Sequence, residues 1–436
     1  MVNRGNNPRF SYESLLHYVW QHQYFSKEKL ATANGDELVV RSPGYLNNHA
    51  GPDFHEARLR IGEVEWAGQV EIHIKASDWL VHGHQEDEAY ENVILHVVWD
   101  NDTPITRRDG SLIPVLVLGD RTPPDLVRRY RQLLTSSFLI PCETAVGQVP
   151  ALTLLSMKER AANSRLRRKS IELVKLLKGN GGDWEETTYQ VLARNFGFKV
   201  NAEGFSQLCR TVSLLTLRKC GNLEQTEALL LGQAGFLDDP EEDPYHQKLR
   251  KEYQYLSHKF GLSKGKLHRA RWRFLRLRPA NFPTLRIAQF AAMIQQTPNL
   301  LSSLTSVNNL EDARMLFQAP VSPYWQKHYR FNTAYTETGI TGLGDDSIRS
   351  LVINTICTLL TARGLHTDDN RLEERALHLM SSLPPEENSI ITHWKTVGMV
   401  VENALDSQGL LEQYHFGCQR RQCLQCPVGA WLTKPD

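Results

Sequence analysis

The sequence predicts two architectures in one chain: an α/β domain over residues 1–145, then a mainly α-helical region over 146–436. Two observations carry this reading. In the first part, one amphipathic helical stretch precedes short apolar or alternating runs, punctuated by Gly, Asn, Asp and Pro. In the second part, segment after segment has apolar residues at helical spacing. The composition, 41% apolar and 23% charged over 436 residues, is that of a folded globular protein. It excludes a disordered or collagen-like chain. No apolar run approaches the ~18 residues of a membrane-spanning helix. At roughly 100–200 residues per domain, the length suits two to four domains, with three as the central expectation.

Tyr12–Tyr24 reads as the first helix, with Leu15, Leu16, Val19 and Trp20 on one face. Strand patterns follow over Glu37–Arg41, Ala57–Ile61, Val64–Ile74, Asn92–Trp99 and Ile113–Val117. Val93–Trp99 is apolar except for His96, as expected of a strand covered on both faces. Helices are expected over Ala151–Leu177, Asp183–Phe196, Ala202–Lys219, Glu224–Leu231, Tyr245–Phe260, Pro283–Gln296, Ser347–Ala362 and Ser389–Leu405. Turn signals separate them, among them Gly179–Gly182, Gly261 and Pro384-Pro385. The acidic stretch Asp238–Pro244 marks a possible subdivision near residue 240.

Neither a basic-then-apolar leader nor a cysteine-rich framework is visible. Seven cysteines in 436 residues suit a cytoplasmic protein with reduced thiols. Fifty basic and 49 acidic residues give a net charge of +1. Only the distribution of that charge can indicate a partner, and no membrane partner is expected.

The first chemical constellation is Gly51-Pro52-Asp53-Phe54, then a strand and a Gly62 turn, then Gly68-Gln69-Val70-Glu71-Ile72-His73. An Asp at the start of one strand and a Glu within the next meet across a hairpin and share a divalent cation. Hard ions such as Mg²⁺ favour such carboxylates together with water and phosphate oxygens. Glu71 and His73, two apart on a strand, point to one face. His73 is thereby placed to position or deprotonate water beside a cation held by Asp53 and Glu71.

This pattern resembles the PD-(D/E)XK nuclease superfamily. Pro52-Asp53 matches its Pro-Asp, and Glu71-Ile72-His73 matches its Glu-x-Lys with His in place of Lys. The resemblance covers roughly residues 10–120. It implies a restriction-endonuclease-like mixed sheet with flanking helices, a Mg²⁺ or Mn²⁺ cofactor and a phosphodiesterase active on nucleic acid. Glu13 is its candidate upstream helical acid, and Lys75 is the candidate substitute for the missing Lys. The plain structural alternative is that Asp53 caps a turn while Glu71 and His73 lie on an exposed sheet face.

Histidine is concentrated here: His49, His55, His73, His82, His84 and His96 lie within Asn47–Asp102, six of the 16 in the chain. His82-Gly83-His84 with Asp87 gives a second site, of transition-metal type. It resembles the H-x-H-x-D-H run of metallo-β-lactamase-like hydrolases, with Asp87 one position off and the final His absent. More widely, Asn48–Phe54, Trp66–His73, Ser77-Asp78-Trp79, His82-Gly83-His84 and Tyr90–His96 are similar to a bacterial family whose domain has no assigned function. So are Cys423-Leu424-Gln425-Cys426 and Gly429. This likeness spans nearly the whole chain and implies no activity.

At the C-terminus, Cys418-x4-Cys423-x2-Cys426-Pro427 places three thiols within nine residues. Such spacing suits zinc or an iron–sulfur cluster. It resembles the cysteine loops of the endonuclease III group and of iron–sulfur nucleases, in which four cysteines bind [4Fe–4S]. No fourth cysteine follows Cys426. Cys142, Cys357, Cys220, Cys209 and His415 are the candidates for a fourth ligand. A redox-active pair or plain thiols are the alternatives.

Between Lys248 and Arg278 eleven basic residues stand against Glu252 alone. Lys264, Lys266, Arg269, Arg271 and Arg273, with Trp272 to stack on bases, are the candidate nucleic-acid contacts. A second basic stretch spans Lys158–Lys178. The alternative is a solvated face balanced by Asp238, Asp239, Glu241, Glu242 and Asp243. Gly339–Ser347 is a Gly-rich turn leading into a helix, read more simply as capping than as a phosphate site.

The expected function is therefore a metal-dependent phosphodiesterase. The alternatives are a non-catalytic nucleic-acid-binding or scaffold protein with a degenerate nuclease core, and a histidine-based metallohydrolase on a small substrate.

Overall fold

The computed structural model describes residues 8–435 except 48, 240, 241, 263 and 336–341, with side chains from residue 12 onward. Asn48, Pro240, Glu241 and Gly339-Ile340-Thr341, singled out above, lie outside the described residues.

The N-terminal strands form one six-stranded mixed sheet. Helix α1 (Pro8–His22) precedes β1 (Leu38–Ser42), β2 (Tyr45–Leu46), β3 (Phe54–Ile61) and β4 (Val64–Lys75). The short helix α2 (Asp78–Val81) leads towards β5 (Val93–Asp100), β6 (Val115–Val117) and α3 (Pro124–Thr135). The sheet order is β1-β3-β4-β5-β6, with β2 paired to β3. β3 runs antiparallel to β1, β2 and β4, whereas β4, β5 and β6 are mutually parallel. Parallel neighbours need a crossover. The one between β4 and β5, residues 76–92, carries His82 and His84.

Alternation on β4 separates two jobs. Val70 and Ile72 enter the apolar core with Leu15, Leu16, Val19 and Trp20 of α1 and Leu126 and Tyr130 of α3. Glu71 and His73 point to the other face. Register pairs Glu71 with His96 and His73 with Val98 on β5. A smaller cluster built on Trp79, Val93, Val98 and Val115 closes that side.

The chain divides into two units. The first comprises residues 1–157, 393–399 and 411–436; the second comprises 158–392 and 400–410. The cysteine-bearing tail thus belongs to the N-terminal unit, not to the helical region where its sequence position suggested. The boundary falls inside α4 (Ala151–Gly179) rather than at 145.

The second unit is helical, with a two-stranded hairpin at His328–Arg330 and Thr333–Ala334. Helix starts follow their capping residues. Asp183 accepts from Glu186 N–H, Asn222 from Gln225 N–H, and Asn309 from Asp312 N–H. The helix expected over Ala202–Lys219 breaks after Thr211, because Ser213 caps a new turn by accepting from Thr216 N–H. Ser389–Leu405 is likewise interrupted, ending at Thr396 before Gly398 at φ +92°. No helix among the described residues is long and apolar enough to cross a membrane.

Candidate metal centre

β4 delivers Glu71 and His73 side by side, buried at 5% and 1% exposure. The crossover brings His82 and His84 above them. Gly83 between the two adopts φ +75°, a left-handed turn that aims both imidazoles at one point. Glu71 Oε1 lies 3.2 Å from His84 Nε2 and 3.4 Å from His73 Nε2. His73 Nε2 is 3.1 Å from His82 Nδ1. Ligand nitrogens of His73, His82 and His84 all fall within 4.8 Å of one another.

The surroundings lock this arrangement. His73 Nδ1 meets His96 Nε2 at 2.8 Å, and His96 is wholly buried. Tyr90 stacks on His84 with ring centroids 3.8 Å apart, and Trp79 packs edge-on against the same ring. Asp53, at the start of β3, is cross-linked to β4. Its N–H donates to Glu71 Oε2 at 3.1 Å, and its Oδ2 accepts from Ile72 N–H at 3.0 Å. His17 Nε2 of α1 lies 3.1 Å from the same Asp53 oxygen.

Burial dominates the electrostatics of the site. Burial, then the Asp53 charge, pushes the Glu71 carboxyl up to about 9. Burial, then the neighbouring imidazoles led by His96, takes His73 down to about 2. Burial also takes His96 down to about 3 and lowers His84. His17 moves the other way: burial opposes its charge, but the bond to Asp53 and that carboxylate's charge outweigh it. Glu13 is raised by burial and feels His17, Asp53 and His82.

Three imidazole nitrogens gathered in one place, with a carboxylate oxygen beside two of them, fit a divalent cation. The His73–His96 bond is the kind of outer contact that fixes a ligating tautomer. Three imidazoles and one carboxylate suit Mn²⁺, Zn²⁺ or Fe²⁺, whereas Mg²⁺ prefers oxygen. Asp53, Glu71 and His73, expected from the hairpin pattern, are neighbours, but the Asp53 carboxylate faces Ile72 N–H and His17 rather than the three histidines. His82 and His84, expected as a separate site, join Glu71 and His73.

Two expected residues are elsewhere. Asp87 accepts from Ala89 N–H and caps the turn at Glu88–Tyr90, so the third partner of the two histidines is His73 with Glu71. Lys75 is exposed, its Nζ 4.0 Å from Asp102, because β4 ends there and its side chain leans towards the rim. His17 and His96 were not singled out as site residues. Their signals were weak: a helical histidine four residues after Glu13, and a lone polar residue in an apolar strand.

The basic candidates separate as well. Trp272 is 5% exposed, donates from Nε1 to Ala234 O at 2.8 Å, and packs edge-on against Phe205. It is a core residue and not a stacking platform. Lys266 pairs with Asp238, and Arg269 lies 3.6 Å from Asp239, so the acidic loop neutralises part of the stretch. Lys264, Arg271 and Arg273 remain exposed. A basic concavity of about 660 Å³ lies instead along α4, lined by Arg168, Lys169, Lys175, Arg194 and Arg210. One acid, Glu172, lines it too and pairs with Lys175 at 2.9 Å.

Fold and site together describe a two-unit protein with a buried carboxylate–histidine centre on a mixed sheet. The chain belongs to the family described as "Protein of unknown function (DUF2851)", whose model matches residues 13–389. No curated protein and no solved structure matches it.

Proposed function

We propose that this protein is a metal-dependent phosphodiesterase acting on nucleic acid, with Glu71, His73, His82 and His84 as ligands of its cation. The observation that carries the reading is the gathering of the His73, His82 and His84 nitrogens within 4.8 Å of one another, with Glu71 Oε1 3.4 Å from His73 and 3.2 Å from His84. A cation there supplies positive charge against the charge that develops on a phosphoryl group.

The chain's own residues supply the rest. His96 fixes the ring of His73, and Tyr90 fixes that of His84. His17 holds a proton at Nε2 against Asp53 and so fixes that carboxylate beside Glu71. An open groove of about 920 Å³ along β1, β3 and β4 presents Arg41 and Arg58 for phosphate. The concavity along α4 supports a second phosphate contact in the helical unit. Seven cysteines, none in a disulfide, support a reducing, cytoplasmic setting.

The test is cleavage of labelled single- and double-stranded DNA and RNA with Mn²⁺, Zn²⁺, Mg²⁺ or EDTA, alongside Glu71→Gln. Cleavage that requires Mn²⁺ or Zn²⁺ and is lost in the variant is expected. The high imidazole content also favours a second reading, a hydrolase on a small phosphate diester. Turnover of bis(p-nitrophenyl) phosphate with all four nucleic acids intact would select it.

A further inference from the structure

Cys142 lies close to the C-terminal cysteines. Its thiol feels the charges of Cys426 and Cys423, and Cys418 feels Cys426, Cys142 and Cys423. Cys142, Cys418 and Cys426 line one small cavity with Met157, Trp394 and Val428. The other candidates are elsewhere. Cys209, Cys220 and Cys357 belong to the apolar core of the helical unit. His415 is exposed and bonds Gln419 at 3.2 Å.

The backbone is bent to make this gathering. Gln413–Cys418 is a π-helical turn, a form that recurs at functional positions. Arg421 adopts φ +56°, unusual for a residue with a side chain. Its guanidinium donates to Ser136 O at 2.6 Å, tying the cysteine loop to the segment that leads into Cys142. Gly429 allows the loop to press on the last helix: a Cβ there would lie 2.1 Å from Cys423 O. Tyr18 Oη donates to Ala430 O at 3.0 Å, and Leu424 packs on the sheet core.

Cys142, Cys418 and Cys426 face one apolar pocket, Cys423 stands three residues before Cys426 in the same loop, and none of the four is in a disulfide. Zinc would need sulfurs about 3.8 Å apart, the edge of a tetrahedron with 2.3 Å bonds. Among the described residues no three cysteine sulfurs lie within 4.8 Å of one another. The wider spread suits a cluster, whose thiolates sit on different irons.

We infer that Cys142, Cys418, Cys423 and Cys426 together ligate one iron–sulfur cluster, which staples the tail to the sheet-bearing unit. Each thiol releases its proton to solvent as it binds iron. The role is structural and independent of the histidine centre.

The full chain, purified without oxygen, is assayed for iron, acid-labile sulfide, zinc and visible absorbance. Iron and sulfide in equal amounts, with a broad visible band lost in Cys142→Ser and kept in Cys357→Ser, are expected. Zinc without sulfide, or a band unchanged by Cys142→Ser, would overturn the assignment. Because Cys142→Ser removes a staple and can unfold the tail, wild-type thiols are also alkylated before and after cluster removal. Protection confined to Cys142, Cys418, Cys423 and Cys426, and abolished on removal, is expected. Equal reactivity of the four in both states would overturn it.

Discussion

The Asp53 N–H donates to the Glu71 carboxylate at 3.1 Å, across the hairpin of β3 and β4. The Asp53 side chain returns a bond to the next residue of β4, Ile72. The two acids are thus held as a unit, with Glu71 turned towards the histidines and Asp53 towards His17.

His96 supports the centre through its bond to His73, and it also packs against Trp79. Replacing it by Ala removes the partner of His73 Nδ1 and frees the ring. Metal affinity is expected to fall about 10–100-fold, the usual cost of losing such a support. Competition with a chelator of known affinity measures it, and an unchanged affinity would remove His96 from the account.

Trp272 tests the division between core and nucleic-acid surface. Trp272→Ala is expected to destabilise the helical unit by about 3–5 kcal/mol. Arg271→Ala, at an exposed neighbour, is expected to leave stability nearly unchanged. Urea unfolding followed by circular dichroism distinguishes them, and a silent Trp272→Ala contradicts the packing described.

Glu227 gives a pH signature away from both candidate centres. It is wholly buried, accepting from Tyr245, Ser322 and Trp325, and burial raises its carboxyl from 4.5 to about 7. Between those values the unfolded chain gives up the proton and the folded chain keeps it. Stability from this group is therefore complete below pH 4.5 and falls by about 3 kcal/mol as pH rises to 7. Denaturant melts across that range are expected to show a shallower decline in Glu227→Gln than in the wild type.

The α4 concavity predicts salt-dependent binding. Arg194→Ala with Arg210→Ala is expected to weaken nucleic-acid affinity. The slope of log affinity against log salt is expected to shrink by about 1 for each phosphate that the pair no longer neutralises. Fluorescence anisotropy at several salt concentrations reads both. Weaker binding by Lys264→Ala, with binding by this pair unchanged, would move the surface back to residues 264–273.

Much of the α/β part is legible in the sequence because its signals are local. Val93–Trp99 and Val64–Ile74 announce strands by composition and alternation, and both form within a residue or two of the expected limits. Helix α3 is a miss. Pro124 sits at its first turn, and Leu126, Tyr130 and Leu133 form its buried face, a signal that was present but short. In the site, Asp53, Glu71 and His73 are readable as a motif. The union of that motif with His82 and His84 is not, since it depends on the path of a crossover and a left-handed Gly83. The same holds for Cys142, which no spacing rule connects to Cys418.

The most direct test of the central claim is titration of the chelator-stripped protein with Mn²⁺, free ion being followed by electron paramagnetic resonance. One bound ion per chain is expected in the wild type, with binding abolished in Glu71→Gln and in His84→Ala. Binding that survives in both variants, or no binding by a folded wild type, would contradict a cation at Glu71, His73, His82 and His84.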